Sequence, residues 1–325
     1  MSLRKKIRVG VLRGGPSREH EVSIKTGSHV MKNLPDKYLP VDIFVDKDGV
    51  WHVAGVAQNP DKALRKVDVI WNALHGEYGE DGTVQNLLVT FKVPFTGSDR
   101  VSSALTMHKT HAKNVLKRHG IKTPYHKIIK KSDTTETTIL DLFNTAPNPS
   151  IVKPVNMGSS IGVSVATTLL ELRLAIEKGF SVSPTLIVEE YIQGREATCG
   201  IIDNFRGEDA YILMPVEVEN KKESRFFDYD SKYVSKSRLH HPGRFSAMEK
   251  EAIQKATRLA HTVLGLRHYS RSDFIVHPKR GIYFLETNSL PGLYADSPFT
   301  ESLKAVGSSA EEFIGHVLDL ALSGK

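Results

Sequence analysis

Twice near the N-terminus a short apolar run meets a glycine turn and gives way to a helix. That recurrence constrains the fold more than any other feature of the chain. Val9-Gly10-Val11-Leu12 reads as a buried strand ending at Gly14-Gly15. A helix then begins near Ser17, with Glu19 in its first turn, where the helix dipole favours a carboxylate. A second strand spans Asp42 to Val45. The run Val67 to Leu74 passes straight into His75-Gly76-Glu77-Tyr78-Gly79-Glu80-Asp81-Gly82, and the helix from Thr83 carries Val84, Leu87, Leu88 and Phe91 on one face. Strand, glycine turn and helix in repetition specify a parallel sheet with functional loops at the strand C-termini.

Pro94-Phe95-Thr96-Gly97-Ser98 closes this unit. One helical region is expected over 102–119, then strands over 125–129 and 151–155, a glycine-rich loop, a strand over 162–165 and a helix announced by the capping-box spacing Thr168-x-x-Glu171. The strand Leu186 to Glu189 leads out of this middle unit. The last unit reads as strand-rich, over 198–202 and 211–218 and in a late hairpin, with helices announced by Ser246-x-x-Glu249 and Ser309-x-x-Glu312. The stretch Asn220 to Arg244 is polar and aromatic without periodicity, as lids often are.

Composition excludes several classes. A chain of 325 residues, 40% hydrophobic and 25% charged, is globular and suits two or three domains. No apolar run approaches the roughly 18 residues that span a bilayer, and the basic start lacks a signal-peptide pattern, so no membrane association is expected. Cys199 is the only cysteine, which rules out an internal disulfide and fits a reducing cytoplasm. The net charge of +7 is scattered, with no basic run interleaved with aromatics, so no nucleic-acid partner is expected. Excess positive charge suits phosphorylated, anionic substrates.

The chemistry concentrates late. Tyr269 to Val276 and Ile282 to Asn288 flank the turn His277-Pro278-Lys279-Arg280-Gly281 and read as a hairpin. Alternation puts Arg271 and Asp273 on one face, and on the second strand aligns Ile282, Phe284, Glu286 and Asn288. Two carboxylates and an amide from adjacent strands make a hard oxygen site of the kind Mg²⁺ accepts when phosphates also hold it. Lys153-Pro154-Val155-Asn156-Met157-Gly158-Ser159-Ser160-Ile161-Gly162 pairs an upstream lysine with a glycine–serine loop able to cradle phosphate, though not at the Walker spacing. Leu186 to Ile192 passes from apolar strand to an acidic, aromatic end that could edge an adenine. Phe227-Asp228-Tyr229-Asp230-Ser231-Lys232-Tyr233 offers a cation and an aromatic cap for a closing lid.

The order of these motifs, from Gly14-Gly15 through Glu19, His75-Gly76, Gly79-Glu80-Asp81-Gly82, Lys153-Pro154, the 158–162 loop, Lys232-Tyr233, Arg271-x-Asp273, Glu286-x-Asn288 and Pro291-Gly292, closely resembles the D-alanine–D-alanine ligases of the ATP-grasp superfamily. The resemblance implies an α/β chain of ATP-grasp fold. An N-terminal parallel α/β substrate-binding domain (1–98) would join a central ATP-grasp subdomain (99–188) and a C-terminal catalytic domain (189–325), the last two sandwiching ATP. It implies that Lys109, Lys153 and Lys232 contact the phosphates with Ser160. Glu189, Glu190, Tyr191 and Ile192 would surround the adenine, and Glu196 would lie near the ribose. Asp273, Glu286 and Asn288 would hold two Mg²⁺, for which Mn²⁺ can substitute. Glu19 would bind the ammonium of the first D-alanine, with His75 close by, and Ser159 and Tyr233 would link Glu19 to the lid. Arg271 and the Gly292 N–H would stabilise the oxyanion. The implied product is D-alanyl-D-alanine for peptidoglycan precursors, made by a cytoplasmic homodimer.

One departure bears on the acceptor. The family places Ser followed by Leu or Met after the Pro-Gly turn, and that pair binds the acceptor carboxylate. Here the pair is Ser297-Pro298, and proline has no N–H. One charge-assisted donor, worth roughly 1.5–3 kcal/mol, is missing. A different D-amino-acid or D-hydroxy-acid acceptor is therefore the alternative reading, although Tyr233 in the lid favours an amine.

Overall fold

The computed structural model describes residues 6–158, 162–219 and 238–324. Strands β1 (Ile7–Gly14), β2 (Tyr38–Val45), β3 (Trp51–Val53), β4 (Val56–Gln58) and β5 (Val69–Asn72) form one sheet in the order β4-β3-β2-β1-β5. β1 runs parallel to both β2 and β5, and helix α1 (His20–Lys32) makes the β1–β2 crossover. The antiparallel β3–β4 hairpin at the edge and the short α2 (Pro60–Leu64) are additions to the sequence expectation. Helix α3 (Thr83–Thr90) starts where its apolar face predicts.

The helical region expected over 102–119 is two helices, α4 (Arg100–Met107) and α5 (Lys109–Arg118). The break falls at His108, whose backbone is extended (φ −86°, ψ 92°) and whose imidazole caps α5 by accepting the His111 N–H. Strand β6 (His126–Lys130), α6 (Glu136–Thr145), β7 (Ser150–Pro154), β8 (Ser164–Ala166), α7 (Leu169–Phe180) and β9 (Thr185–Glu190) follow, with a sheet order of β6-β9-β7-β8. The Thr168–Glu171 capping box of α7 forms in both directions. Helix α6, capped by Thr135 and Thr138, was not signalled by a glutamate at the third position.

The third sheet holds β10 (Arg195–Asp203), β11 (Ala210–Ile212), β12 (Val216–Glu219), β13 (Arg238–His240), β14 (Tyr269–His277) and β15 (Gly281–Asn288). Its helices are α8 (Ala247–Val263), α9 (Pro298–Ala305) and α10 (Ala310–Ser323). Ser246 and Glu249 cap α8 reciprocally, and Ser309 caps α10.

The packing decides where the site lies. One face of the first sheet, with Val9, Val11, Val69 and Trp71, is covered by Phe313, Ile314, Val317 and Leu318 of α10. Trp71 stacks on Tyr269 of β14 at 6.2 Å and meets the Phe313 edge at 6.2 Å. Each such side chain contributes about 1.5–3 kcal/mol by leaving water, so the first and third sheets are held together by a shared core. Ala112 and Leu116 of α5 pack with Phe274, Phe284 and Ile253, so α5 rests on the third sheet while its N-terminus reaches the middle one.

The late hairpin corrects one expectation. Arg271 pairs with Asn288 and Asp273 with Glu286, but Phe274 then pairs with Phe284, leaving Leu285 as an extra residue. Such a bulge flips the alternation locally. Ile282 and Phe284 therefore turn into the core under α8, whereas Leu285 and Glu286 both line a cavity. The run Ile282, Phe284, Glu286, Asn288 is not a single face.

Candidate active site

Two cavities meet in the middle of the molecule. One, of about 820 Å³, opens between the loops of the first sheet and the strand ends of the third. The other, of about 370 Å³, lies between the middle and third sheets. Lys109, Glu196, Val218 and Glu286 line both.

At the junction the hairpin presents its acids. Asp273 is nearly buried and takes a two-pronged contact from Arg271, Nε to Oδ1 and Nη2 to Oδ2, both at 3.1 Å. Thr198 Oγ1 donates to Oδ1 at 2.6 Å and Asn288 Nδ2 to Oδ2 at 3.2 Å. Burial opposes the Arg271 charge, but Asp273 outweighs it and the guanidinium pKa is raised. Glu286 pairs with Lys109 Nζ at 2.9 Å, and that ammonium also donates to the Met157 carbonyl at 2.8 Å. Lys109, at the first position of α5, thus bridges the hairpin and the start of the glycine loop.

Asp273, Glu286 and Asn288 are brought together as oxygen donors on one cavity wall. Among the described residues no group of three or more His, Cys, Asp and Glu side chains is arranged to hold an ion. Two carboxylates plus one amide fit a Mg²⁺ that takes its remaining ligands from water and phosphate, and do not fit an ion caged by protein alone. Both carboxylates are neutralised here by Arg271 and Lys109.

The smaller cavity carries the other lysine. Lys153 Nζ reaches Glu189 Oε1 at 3.0 Å, and Lys113 Nζ makes a short contact with Glu189 Oε2. Burial works against the Glu189 charge, yet the two ammonium groups hold its pKa below the ordinary carboxylate value. Burial drives Lys113 down, to about 7, with Glu189 resisting. Glu189 thus anchors two lysines as well as lining the cavity. The Glu190 side chain turns to Arg280 Nη1 at 2.6 Å. The N–H groups of Glu190 and Tyr191 donate to the carbonyls of Tyr125 and Pro149, at 2.8 and 3.0 Å. A nucleobase edge would therefore be read by carbonyls of this stretch or by Ile192 beyond it. Glu196, on β10, faces both cavities.

The larger cavity has a crowded acidic end. Glu19 immediately precedes α1, and a Cβ at Gly76 or at Gly158 would come within 2.9 Å of its Oε2. Gly76 also sits at φ +71°, so glycine is required there twice over. His75 is buried, with Nε2 2.9 Å from Thr26 Oγ1. Burial, then the Arg271 charge, lowers its pKa to about 4, so the ring is neutral at pH 7. Glu80 accepts the N–H groups of Gly76 at 2.8 Å and Leu290 at 3.3 Å, tying the second glycine turn to the Pro291-Gly292 turn. Burial, then the nearby Glu19, raises its pKa to about 8.

Gly292 lines the same cavity as Arg271. Ser297 caps α9, accepting the Thr300 N–H at 3.2 Å and donating to Thr300 Oγ1 at 3.0 Å, and Pro298 occupies the first helical position. Proline is at home there because that N–H has no helical partner. Ser159, Ser160, Lys232 and Tyr233 lie outside the described residues. Sequence reasoning missed Lys113, Thr198 and the role of Glu80. Lys113 alone had a local signal, four residues beyond Lys109 on the same helix face.

Comparison with known proteins gives this geometry a lineage. The family description "D-ala D-ala ligase C-terminus" matches residues 115–319, and "D-ala D-ala ligase N-terminus" matches residues 8–63 and 54–98. The D-alanine–D-alanine ligase of Carboxydothermus hydrogenoformans is 33% identical over 98% of this chain and 99% of its own length. This chain belongs to the D-Ala–D-Ala ligase family. The D-alanine–D-alanine ligase of Bacillus anthracis, solved in complex with ATP, has a TM-score of 0.80 at 29% identity, covering 98% of each chain. The VanG D-Ala:D-Ser ligase of Enterococcus faecalis has a TM-score of 0.84 at 28% identity, covering 98% of this chain and all of that one. The three sheets and the nucleotide cleft are thus those of an ATP-grasp fold. No helix among the described residues is long and apolar enough to cross a membrane.

Proposed function

We propose that this chain joins two D-alanines into D-alanyl-D-alanine, converting ATP to ADP and phosphate. The observation that carries the reading is the meeting of two cavities at the Lys109–Glu286 pair. ATP occupies the smaller cavity, with its phosphates reaching the junction, and both amino acids occupy the larger one. Glu189, Glu190, Tyr191 and Ile192 border the adenine, Glu196 the ribose, and Lys109 and Lys153 the phosphates, joined by Ser160 and Lys232. Asp273, Glu286 and Asn288 would hold two Mg²⁺, which would screen the polyphosphate charge.

Glu19 binds the ammonium of the first D-alanine and directs its carboxylate to the γ-phosphate. A carboxylate oxygen attacks phosphorus, ADP leaves, and an acyl phosphate results. The neutral His75 beside this group adds no competing charge. The second D-alanine, as free amine, attacks the acyl carbon. Arg271 and the Gly292 N–H stabilise the oxyanion, phosphate departs, and the nitrogen sheds its proton. Ser159 and Tyr233 close the lid over the acyl phosphate, excluding water. Homodimer formation, a cytoplasmic location and the 1–98, 99–188 and 189–325 division belong to the same reading.

Pro298 favours a second possibility for the acceptor alone, another D-amino acid or a D-hydroxy acid. One experiment addresses both. The protein is incubated with ATP, Mg²⁺ and D-alanine, D-serine, D-lactate or L-alanine, and phosphate release and product mass are followed. D-Alanine-dependent phosphate release with a D-alanyl-D-alanine mass supports the proposal. Phosphate release with no D-amino-acid dependence sinks it.

A further inference from the structure

Lys113 lies beneath the nucleotide end of the site without lining either cavity. Its side chain is fully buried, and its Nζ contacts Glu189 Oε2, while Lys153 holds Oε1 at 3.0 Å. One buried carboxylate is therefore shared by ammonium groups from α5 and β7. One turn earlier on α5, Lys109 pairs with Glu286. Three ammonium groups and two carboxylates are thus clustered at one wall of the smaller cavity, where dielectric screening is weak.

We propose that Lys113 is a positioning residue for the nucleotide. By holding one oxygen of Glu189, it keeps that carboxylate from closing on Lys153, whose ammonium stays directed at the phosphates. The inference rests on the nucleotide-binding reading above. Without Lys113, Glu189 and Lys153 form a one-to-one buried pair, which an incoming phosphate must disrupt. A lysine serving only as a structural pin would affect folding and leave nucleotide affinity alone.

The test is equilibrium binding of β,γ-methylene-ATP with Mg²⁺ and no amino acid, measured on the full chain. Lys113→Gln should bind about 10–100-fold more weakly than wild type, the usual range for loss of a supporting partner. Lys113→Arg, which keeps the charge, should restore most of that affinity. In turnover, KM for ATP should rise in Lys113→Gln while KM for D-alanine stays put. Lys113→Met carries the same expectation should the Gln variant not fold. Wild-type affinity in Lys113→Gln or Lys113→Met, or a Lys113→Arg variant as weak as Lys113→Gln, overturns the proposal. A wild-type protein that binds no analogue would instead defeat the nucleotide-binding reading itself.

Discussion

Acidification should destabilise this protein through one identifiable ring. His75 is 5% exposed, and burial followed by the charge of Arg271 lowers its pKa from 6.5 to about 4. The unfolded chain binds that proton more tightly than the folded one. Stability from this group is therefore whole above about pH 6.5 and is lost as the pH falls toward about 4. Each unit of difference is worth about 1.4 kcal/mol, so the loss is on the order of 3 kcal/mol. Urea denaturation at steps from pH 7 to pH 4 should show it in wild type. In His75→Gln, which retains a polar group toward Thr26, the curve over the same range should be shallower by about 1.4 kcal/mol per pH unit at its steepest. Parallel stability curves for the two proteins would mean that His75 is not held neutral by its surroundings, and the reasoning would fail.

Further expectations follow from the same site. Glu286→Gln should lower kcat by about a thousandfold or more in a phosphate-release assay, because the bridging carboxylate between both cavities loses its charge. Pro298→Leu restores an N–H at the start of α9, and KM for the acceptor D-alanine should fall by about ten- to a hundredfold, the equivalent of 1.5–3 kcal/mol. An unchanged KM would place the acceptor elsewhere. Phe313→Ala should cost about 3–5 kcal/mol in urea titrations, since its ring contacts Trp71, Tyr269 and Phe299 in a shared core.

Much of this architecture was readable from local pattern. The parallel strands around Val9 and Val69 announced themselves by short apolar runs that lead into glycine turns. The caps at Thr168 and Ser246 announced their helices by a glutamate three residues on. Arg271, Asp273, Glu286 and Asn288 emerged together because a hairpin makes sequence neighbours into spatial ones. What was not readable depends on distant partners. The Leu285 bulge arises from how Phe274 and Phe284 pack against α8, which no alternation within β15 can encode. Lys113 and Glu189 lie 76 positions apart, and nothing in either segment shows that the two pair. The break at His108 needed knowledge that an imidazole would cap the next helix.

The cover over the first sheet carries a cost in biosynthesis. Trp71 and its neighbours on that face meet Phe313 and Val317, which leave the ribosome roughly 240 residues later. At about 5–20 residues per second, that strand face waits on the order of tens of seconds for its partner. A nascent chain of this kind needs protection during translation, and slowing synthesis downstream of β5 would lengthen its window for aggregation.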